Sequence, residues 1–171
     1  YFGGVGGSVI GTGLFFFPKG GVKPARLMLR SAIETLLKGI TAKEKPTVLI
    51  DKSVVSVLAT AKKTVFFSNP TTKKLFDQLT AKYVLLCEDI HTATSANMAL
   101  ASSMASFTEV TYKDLLVTNE MAANITQMLC NVCTLFFAAD FHKIHFSNKD
   151  LIFNCLTLQT KRNLRNSDEH P

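Results

Sequence analysis

Cysteine is scarce in this sequence and follows no regular spacing. The chain has four cysteines: Cys87, Cys130, Cys133 and Cys155. Most of them lie inside apolar stretches. A small secreted protein held together by disulfides has its cysteines in a dense, regular pattern. The sequence therefore excludes a disulfide scaffold and favours a reducing compartment.

Short motifs of catalysis and nucleotide binding are missing as well. After Gly4 the dinucleotide-binding pattern needs a glycine where Val9 stands, and Pro18-Lys19-Gly20 lacks the Gly-Lys-Ser/Thr ending of a P-loop. The chain also lacks a nucleophile elbow, a His-Glu-x-x-His and an Asp-x-Asp. We therefore predict no enzyme activity and no cofactor.

Arginine, which binds phosphate groups through a planar fork, is rare. It occurs only at Arg26, Arg30, Arg162 and Arg165. The net charge of +6 rests mainly on lysines, and along the chain these lysines are scattered. Such a charge suits nucleic acid, an anionic membrane surface or an acidic protein, but a scattered excess singles out none of them. Nucleic acid is therefore not the predicted partner.

The amino-terminal segment, from Tyr1 to Phe17, carries no charge. Its glycines recur every fourth residue at Gly3, Gly7 and Gly11. In a helix this spacing places the glycines on one face, where a second helix can approach to backbone contact inside a bilayer. We therefore predict that residues 1–18 form a transmembrane or membrane-associated glycine-zipper helix.

Two other interpretations of this segment stay open. A helix over the uncharged stretch spans about 24 Å, which is less than the ~30 Å hydrocarbon core. The segment could instead be a glycine-rich arm lying along a partner protein, because glycine is a poor helix former in water. It could also lie in the membrane interface without crossing it.

Four basic residues follow the apolar segment: Lys19, Lys23, Arg26 and Arg30. Under the positive-inside rule they favour the cytoplasmic or matrix side of a membrane. We predict that they lie at the membrane surface, with the main domain on the matrix side of the mitochondrial inner membrane. The chain begins at Tyr1 rather than at methionine, which removal of an organellar presequence would explain.

The body of the chain, residues 25–165, has the apolar periodicity of a helical-bundle domain. A basic linker at 19–24 precedes it, and a polar tail at 166–171 follows. Its first helix is predicted from Pro24 to Lys38, with Gly39 as the stop. The core face of this helix comprises Leu29, Ile33, Leu36, Leu37 and Ile40.

Residues 46–90 allow two interpretations. Short β-rich apolar runs at 47–50, 64–67 and 83–86 could be strands of a small α/β unit. Alternatively, Asn69-Pro70 starts a helix that absorbs the last of these runs. The core face of that helix would hold Leu75, Phe76, Leu79 and Tyr83. The runs are too short for their periodicity to decide, and we favour helix.

Three further helices are predicted after residue 91. The first covers residues 92–107, whose small side chains permit close packing. The second, the longest, starts at a capping-box-like pair, Thr111 and Asp114. The stretch 121–139 in this helix is uncharged and could be a second membrane span, but the polar residues inside it favour a buried core helix. The last runs from near Ser147 to Arg165.

Two pairs of residues are candidate zinc ligands. Cys130 and Cys133 form a Cys-x-x-Cys, and His142 and His145 form a His-x-x-His. Thiolate and imidazole are the ligands that zinc prefers. A continuous helix would hold the pairs about 18 Å apart, so they converge only if the chain turns near Ala139. We therefore predict two core cysteines and two polar histidines rather than a metal site.

The densest group of titratable residues is Glu88, Asp89 and His91. Adjacent carboxylates point in different directions on a helix, so we predict solvated charges rather than a catalytic site. The group is nevertheless the candidate site if the chain is an α/β enzyme.

These observations together favour a non-catalytic, membrane-anchored accessory or structural subunit of a multi-subunit membrane complex, respiratory or ATP synthase-like, in the mitochondrial inner membrane. A glycine face requires a helix to pack on it, so the predicted partners are other subunits of the complex and membrane lipid. Two alternatives stay open: a soluble basic organellar ribosomal or RNA-associated protein, and a small α/β enzyme.

Overall fold

The computed structural model describes residues 22–90 and 112–168, and every regular element within them is helical. The elements, in chain order, are α1 (Val22–Ala42), a 3₁₀ helix (Pro46–Ile50), α2 (Val54–Ala61), α3 (Val65–Ser68), α4 (Pro70–Ile90), α5 (Tyr112–Phe136), α6 (Ala138–Phe141), α7 (Phe146–Cys155) and α8 (Leu158–Asp168). The predicted mainly α fold is therefore confirmed.

Several predicted features lie outside these residues: the glycine-zipper segment at 1–18, most of the linker, the helix at 92–107 and the capping residue Thr111. Within the two described ranges, no helix is both long and apolar enough to span a bilayer. This includes α5, which has 25 residues and is the longest helix in those ranges, as predicted.

Helices α1 and α5 run side by side in the same direction. Near the start of both, Arg26 Nε donates a hydrogen bond to Thr118 Oγ1 at 3.3 Å. Just beyond the end of α1, Lys43 Nζ lies 5.0 Å from the ring centre of Phe136, the last residue of α5. These two contacts place like ends of the two helices together.

Helix α4 runs in the opposite direction. Tyr83, in its second half, contacts Arg30, which lies in the first half of α1. We call one end of the bundle the amino end. It comprises the start of α1, the end of α4 and the start of α5. The opposite end holds the 3₁₀ helix, α2 and α3, which connect α1 to α4.

The main core lies between these three long helices. The predicted core faces of α1 and α4 are confirmed, because all their members are buried: Leu29, Ile33, Leu36, Leu37, Ile40, Leu75, Phe76, Leu79 and Tyr83. Helix α5 contributes Ile125, Leu129 and Val132 to the same cluster. Apolar residues spaced three and four apart thus place one stripe of each helix in the interior.

The predicted ends of the first helix are wrong. It includes residues 22–24 of the predicted linker, and it passes Gly39 to end at Ala42. Ile40 and Thr41 are almost fully buried, and Thr41 Oγ1 donates to the Leu37 carbonyl at 2.7 Å. Burial of these two residues requires another helical turn, and it outweighs the intrinsic cost of glycine in a helix.

The α/β alternative for residues 46–90 is wrong, because all three apolar runs are helical in the structure. The run at 64–67 begins with Thr64, whose Oγ1 accepts from the Phe67 amide and caps α3. The predicted start at Asn69-Pro70 is confirmed, since Asn69 Oδ1 accepts from the Thr71 amide at 2.9 Å. Helix α4 absorbs the run at 83–86.

The single predicted last helix is two helices, α7 and α8, and they help to form a second core on α5. Leu156 lies at the break and is buried with Phe141 and Leu164. Leu151 in α7 and Leu158 in α8, by contrast, are 69% and 74% exposed. The break turns Leu156 inward, which one continuous helix on this surface would not achieve.

Core burial predicts a clear contrast between two leucines of α1. We expect Leu36→Ala to lower the free energy of unfolding by about 2–5 kcal/mol, because Leu36 is fully buried and its truncation leaves a cavity. Leu27→Ala should cost only about 0.5 kcal/mol, since Leu27 is 51% exposed. Urea denaturation followed by circular dichroism measures both. Equal costs would contradict this orientation of α1.

Candidate functional site

The densest polar cluster of the described residues joins α1 to α4. Arg30 Nε donates to Glu34 Oε1 at 3.1 Å and to the Tyr83 hydroxyl at 3.2 Å. The Tyr83 hydroxyl in turn donates to Glu34 Oε1 at 2.7 Å. The guanidinium carbon lies 5.4 Å from the Tyr83 ring centre. The three side chains therefore form a closed hydrogen-bonded triangle across the helix pair.

Burial and hydrogen bonding both suppress ionisation of Tyr83. Burial raises the pKa of the phenol well above its ordinary value, and hydrogen bonds to Glu34 and Cys87 raise it further. Burial opposes the charge on Arg30, but hydrogen bonds to Tyr83 and Glu34 outweigh this and raise its pKa. Neither group exchanges a proton near neutral pH, so the triangle suits helix docking rather than acid–base catalysis.

Four residues are predicted to lie at the membrane surface. In the structure, two of them contact a neighbouring helix. Arg26 bonds to Thr118 and Arg30 belongs to the triangle. Lys23 lies in the first turn of α1. Lys19 and the predicted packing residues Gly3, Gly7 and Gly11 lie outside the described residues.

The two cysteines of the Cys-x-x-Cys pair face different parts of the molecule. Cys133 packs against the main core, whereas Cys130 packs against the second core. Burial, with a smaller contribution from Cys130, raises the pKa of Cys133 to about 11. Burial and the nearby Cys155 raise the pKa of Cys130. Protonated, inward-facing thiols are poor nucleophiles and poor metal ligands.

The two histidines lie at helix boundaries beyond the cysteines. His142 follows α6, with its ring centre 5.8 Å from that of Phe141. His145 precedes α7, and its Nδ1 lies 2.9 Å from Ser147 Oγ. Across residues 22–90 and 112–168, no three His, Cys, Asp or Glu side chains group as metal ligands.

The predicted titratable group at the end of α4 is only partly within the described residues. Glu88 and Asp89 belong to the last turn of α4, and His91 lies beyond it, outside those residues.

Asn131 has a role that its position as a polar interruption of the apolar stretch 121–139 does not indicate. Asn131 is fully buried, and its Oδ1 accepts from the Thr157 amide at 3.0 Å. Thr157 Oγ1 in turn accepts from the Thr160 amide at 3.4 Å and so caps the first turn of α8. Asn131 therefore fixes where α8 begins on α5.

The positive charge is concentrated rather than scattered. Residues 38–82 contain nine lysines and three acidic residues, whereas the rest of the chain balances ten basic against ten acidic residues. Seven exposed lysines surround the end of the bundle opposite the amino end: Lys43, Lys45, Lys52, Lys62, Lys63, Lys73 and Lys74. We call this surface the lysine end. The excess of lysine in residues 38–82 is visible in the sequence itself, and the fold adds that the connections between α1 and α4 place these seven residues at one end of the bundle.

Exposed apolar side chains are also grouped by position. Six of them, from all three long helices, surround the amino end and form what we call the apolar ring: Leu27, Val84, Leu85, Tyr112, Leu116 and Val117. At the lysine end, Ile50, Val55 and Val65 are about four-fifths exposed, at 82%, 78% and 80%. Both ends of the bundle thus present apolar surface to solvent.

A shallow depression of about 500 Å³ lies along the outer face of α4, between Pro70 and Ala81. Lys73, Lys74 and Asp77 line it, and it is open to solvent along its length. Ligand pockets bury most of their ligand's surface, so this depression does not resemble a substrate site.

No protein-family model, curated protein or solved structure matches this chain. Its function is therefore argued from its own surfaces.

The Arg30–Glu34–Tyr83 triangle predicts that the contribution of the Tyr83 hydroxyl to the free energy of unfolding depends on pH. We expect Tyr83→Phe to lower the free energy of unfolding by about 1–2 kcal/mol below pH 9, since two hydrogen bonds are lost. The deficit should shrink as pH rises through about 10, because unfolded tyrosine ionises there while the folded phenol resists. Urea titrations from pH 7 to 11 measure it. Tyr112→Phe, at an exposed position, serves as the control. A deficit that stays constant across this range would contradict the role of burial.

Thiol burial predicts an order of alkylation. At pH 8 we expect N-ethylmaleimide to modify exposed Cys155 at least ~10-fold faster than Cys133, whose raised pKa leaves little thiolate. Peptide mass spectrometry over a time course measures this, and the rates should converge in denaturant. Faster modification of Cys133 in the native protein would instead indicate an activated thiol.

Proposed function

We propose that this protein is a non-catalytic, membrane-anchored accessory or structural subunit of a multi-subunit membrane complex. The observation that supports this most is the apolar ring at the amino end. Residues 1–21, which contain the predicted membrane segment, and residues 91–111 both join the bundle at this end.

Position is what distinguishes the ring from ordinary surface apolar residues. Single exposed apolar side chains are common in soluble proteins, whereas grouped ones mark contact surfaces. Leu27, Leu116 and the neighbouring Val84 belong to three different helices, yet all lie at the amino end. A bundle held at a membrane by residues 1–18 would present this same end to lipid and to neighbouring subunits.

The polar interior supports a structural role. The triangle and the Arg26–Thr118 bond fasten α1 to α4 and to α5 at the amino end. A force acting on the start of α1 would therefore be transmitted to α4 and α5. The alternative of a small α/β enzyme loses its basis, because its proposed strands are helices.

The host that we propose is a respiratory or ATP synthase-like complex of the mitochondrial inner membrane, with the bundle on the matrix side. This step rests on the basic residues after the apolar segment and on the reduced cysteines. The partners are then other subunits and membrane lipid.

Two measurements on the full chain in its native membranes test this function. Carbonate extraction should leave the wild-type protein in the pellet, because a hydrocarbon-embedded helix resists high pH. Native electrophoresis should show Gly7→Leu dissociated from its complex, since the larger side chain blocks helix approach. Gly13→Leu, roughly 120° from the glycine face, should assemble normally. Quantitative release by carbonate, or normal assembly of Gly7→Leu, would refute the proposal.

Ring variants give a matched comparison within the described residues. We expect Val84→Gln/Leu116→Gln to reduce the fraction of assembled protein at least ~10-fold, through loss of apolar contact area. Leu151→Gln/Leu158→Gln changes two exposed leucines away from the ring, at 69% and 74% exposure against 48% and 50% for Val84 and Leu116, and should assemble as the wild type does. An equal loss in both variants would indicate general instability rather than a contact surface.

A further inference from the structure

Two acidic residues at the lysine end, Glu44 and Asp51, accept hydrogen bonds from the backbone, and a third, Asp77, lies beside Lys73 and Lys74 on α4. Both oxygens of Glu44 accept from the Val65 amide, at 3.0 and 3.1 Å. Asp51 Oδ1 accepts from the Ser53 amide at 2.8 Å, just before α2. These carboxylates stabilise loop and helix starts instead of pairing with the nearby lysines.

The lysines are correspondingly available. Within residues 22–90 and 112–168, none of the seven lysines of the lysine end takes part in an ion pair. Most of these side chains extend into solvent from the loops and the first turn of α4. The surface therefore carries several uncompensated positive charges in close proximity.

Aliphatic side chains project from the same surface. Ile50 ends the 3₁₀ helix, Val55 lies in the first turn of α2, and Val65 starts α3. Along α2, Val55, Ala59 and Lys62 are spaced four and three residues apart and so share one face. Exposed aliphatic and basic side chains are thus interleaved.

This combination argues against two classes of partner. Protein interfaces are depleted in lysine and enriched in aromatic residues and arginine, yet residues 38–82 contain no arginine. Proteins that bind single-stranded nucleic acid stack bases on exposed aromatic rings. The aromatic rings in this region, Phe66, Phe67 and Phe76, are half-buried or buried.

An anionic bilayer fits both kinds of side chain. Lysines near a negatively charged lipid surface each add favourable energy without needing a defined geometry. Aliphatic side chains enter the interface between headgroups and acyl chains. We propose that the lysine end binds the surface of an anionic lipid bilayer, with Ile50, Val55 and Val65 inserted among the headgroups.

This site is separate from the predicted membrane segment. Helix α1 has 21 residues, so its two ends lie about 31 Å apart. The segment at 1–18 joins α1 at the amino end, and the lysine end lies at the other. The inference therefore goes beyond the proposed function and does not depend on it.

Binding to liposomes tests the inference on the full chain. Vesicles of phosphatidylcholine alone are compared with vesicles containing one quarter phosphatidylserine, by co-sedimentation at 0.1 and 0.5 M salt. We expect Lys52→Gln/Lys62→Gln/Lys63→Gln to bind the anionic vesicles about 100-fold more weakly than wild type, since each lysine contributes about fivefold. High salt should weaken wild-type binding in the same way.

Two control variants keep the test specific. Lys113→Gln/Arg162→Gln/Arg165→Gln removes the same charge from exposed positions in α5 and α8 and should change binding less than ~3-fold. Ile50→Ser/Val55→Ser/Val65→Ser should weaken binding about tenfold while its salt dependence persists. Circular dichroism verifies that each variant is folded.

The outcomes separate this site from the membrane segment. Binding to neutral vesicles reports residues 1–18, and only the additional binding to anionic vesicles reports the lysine end. The inference is overturned if the lysine variant and the wild type bind anionic vesicles equally. It is also overturned if an oligouridylate RNA or a polyglutamate peptide binds through these lysines while anionic vesicles do not.

Discussion

Burial of one face of α1 is the constraint on which the rest of this structure depends. Leu29, Ile33 and Leu36 are completely buried, and they lie against α4 on one side and α5 on the other. A single apolar stripe can be shared by two helices only if all three lie nearly side by side. The contacts of α1 therefore determine the direction of α4 and α5, and with it the chemistry of each end of the bundle.

Apolar burial is non-directional, so polar contacts are needed to select one register. The Arg30–Glu34–Tyr83 triangle fixes α4 against α1, and the Arg26–Thr118 bond fixes α5. Sliding α4 or α5 by one turn would leave the hydroxyl of buried Tyr83 or Thr118 without this partner, which costs more than the lost bond itself. Basic residues that resemble a membrane-facing cluster in the sequence therefore also specify the packing.

Local patterns predicted local structure well. The core faces of α1 and α4 followed from apolar spacing alone, and Asn69-Pro70 correctly marked a helix start. The failures involve contacts between residues distant in the chain. The break between α7 and α8 carries one local signal, because Thr157 caps α8, and one contact across 26 positions, in which Asn131 binds the Thr157 amide. The excess of lysine in residues 38–82 is present in the sequence itself, whereas the grouping of these side chains at one end of the bundle comes from the connections between α1 and α4.

The different chemistry of the two ends follows from how the helices connect. At the amino end Arg26 and Arg30 contact neighbouring helices, and the exposed surface there includes the apolar ring. At the other end the chain needs short helices to pass from α1 to α4, and the carboxylates of Glu44 and Asp51 accept hydrogen bonds from the backbone of those connections. Lysines at that end keep their charge unpaired because the nearby acids have this structural role. A rigid bundle about 31 Å long thereby separates an apolar surface from a basic one.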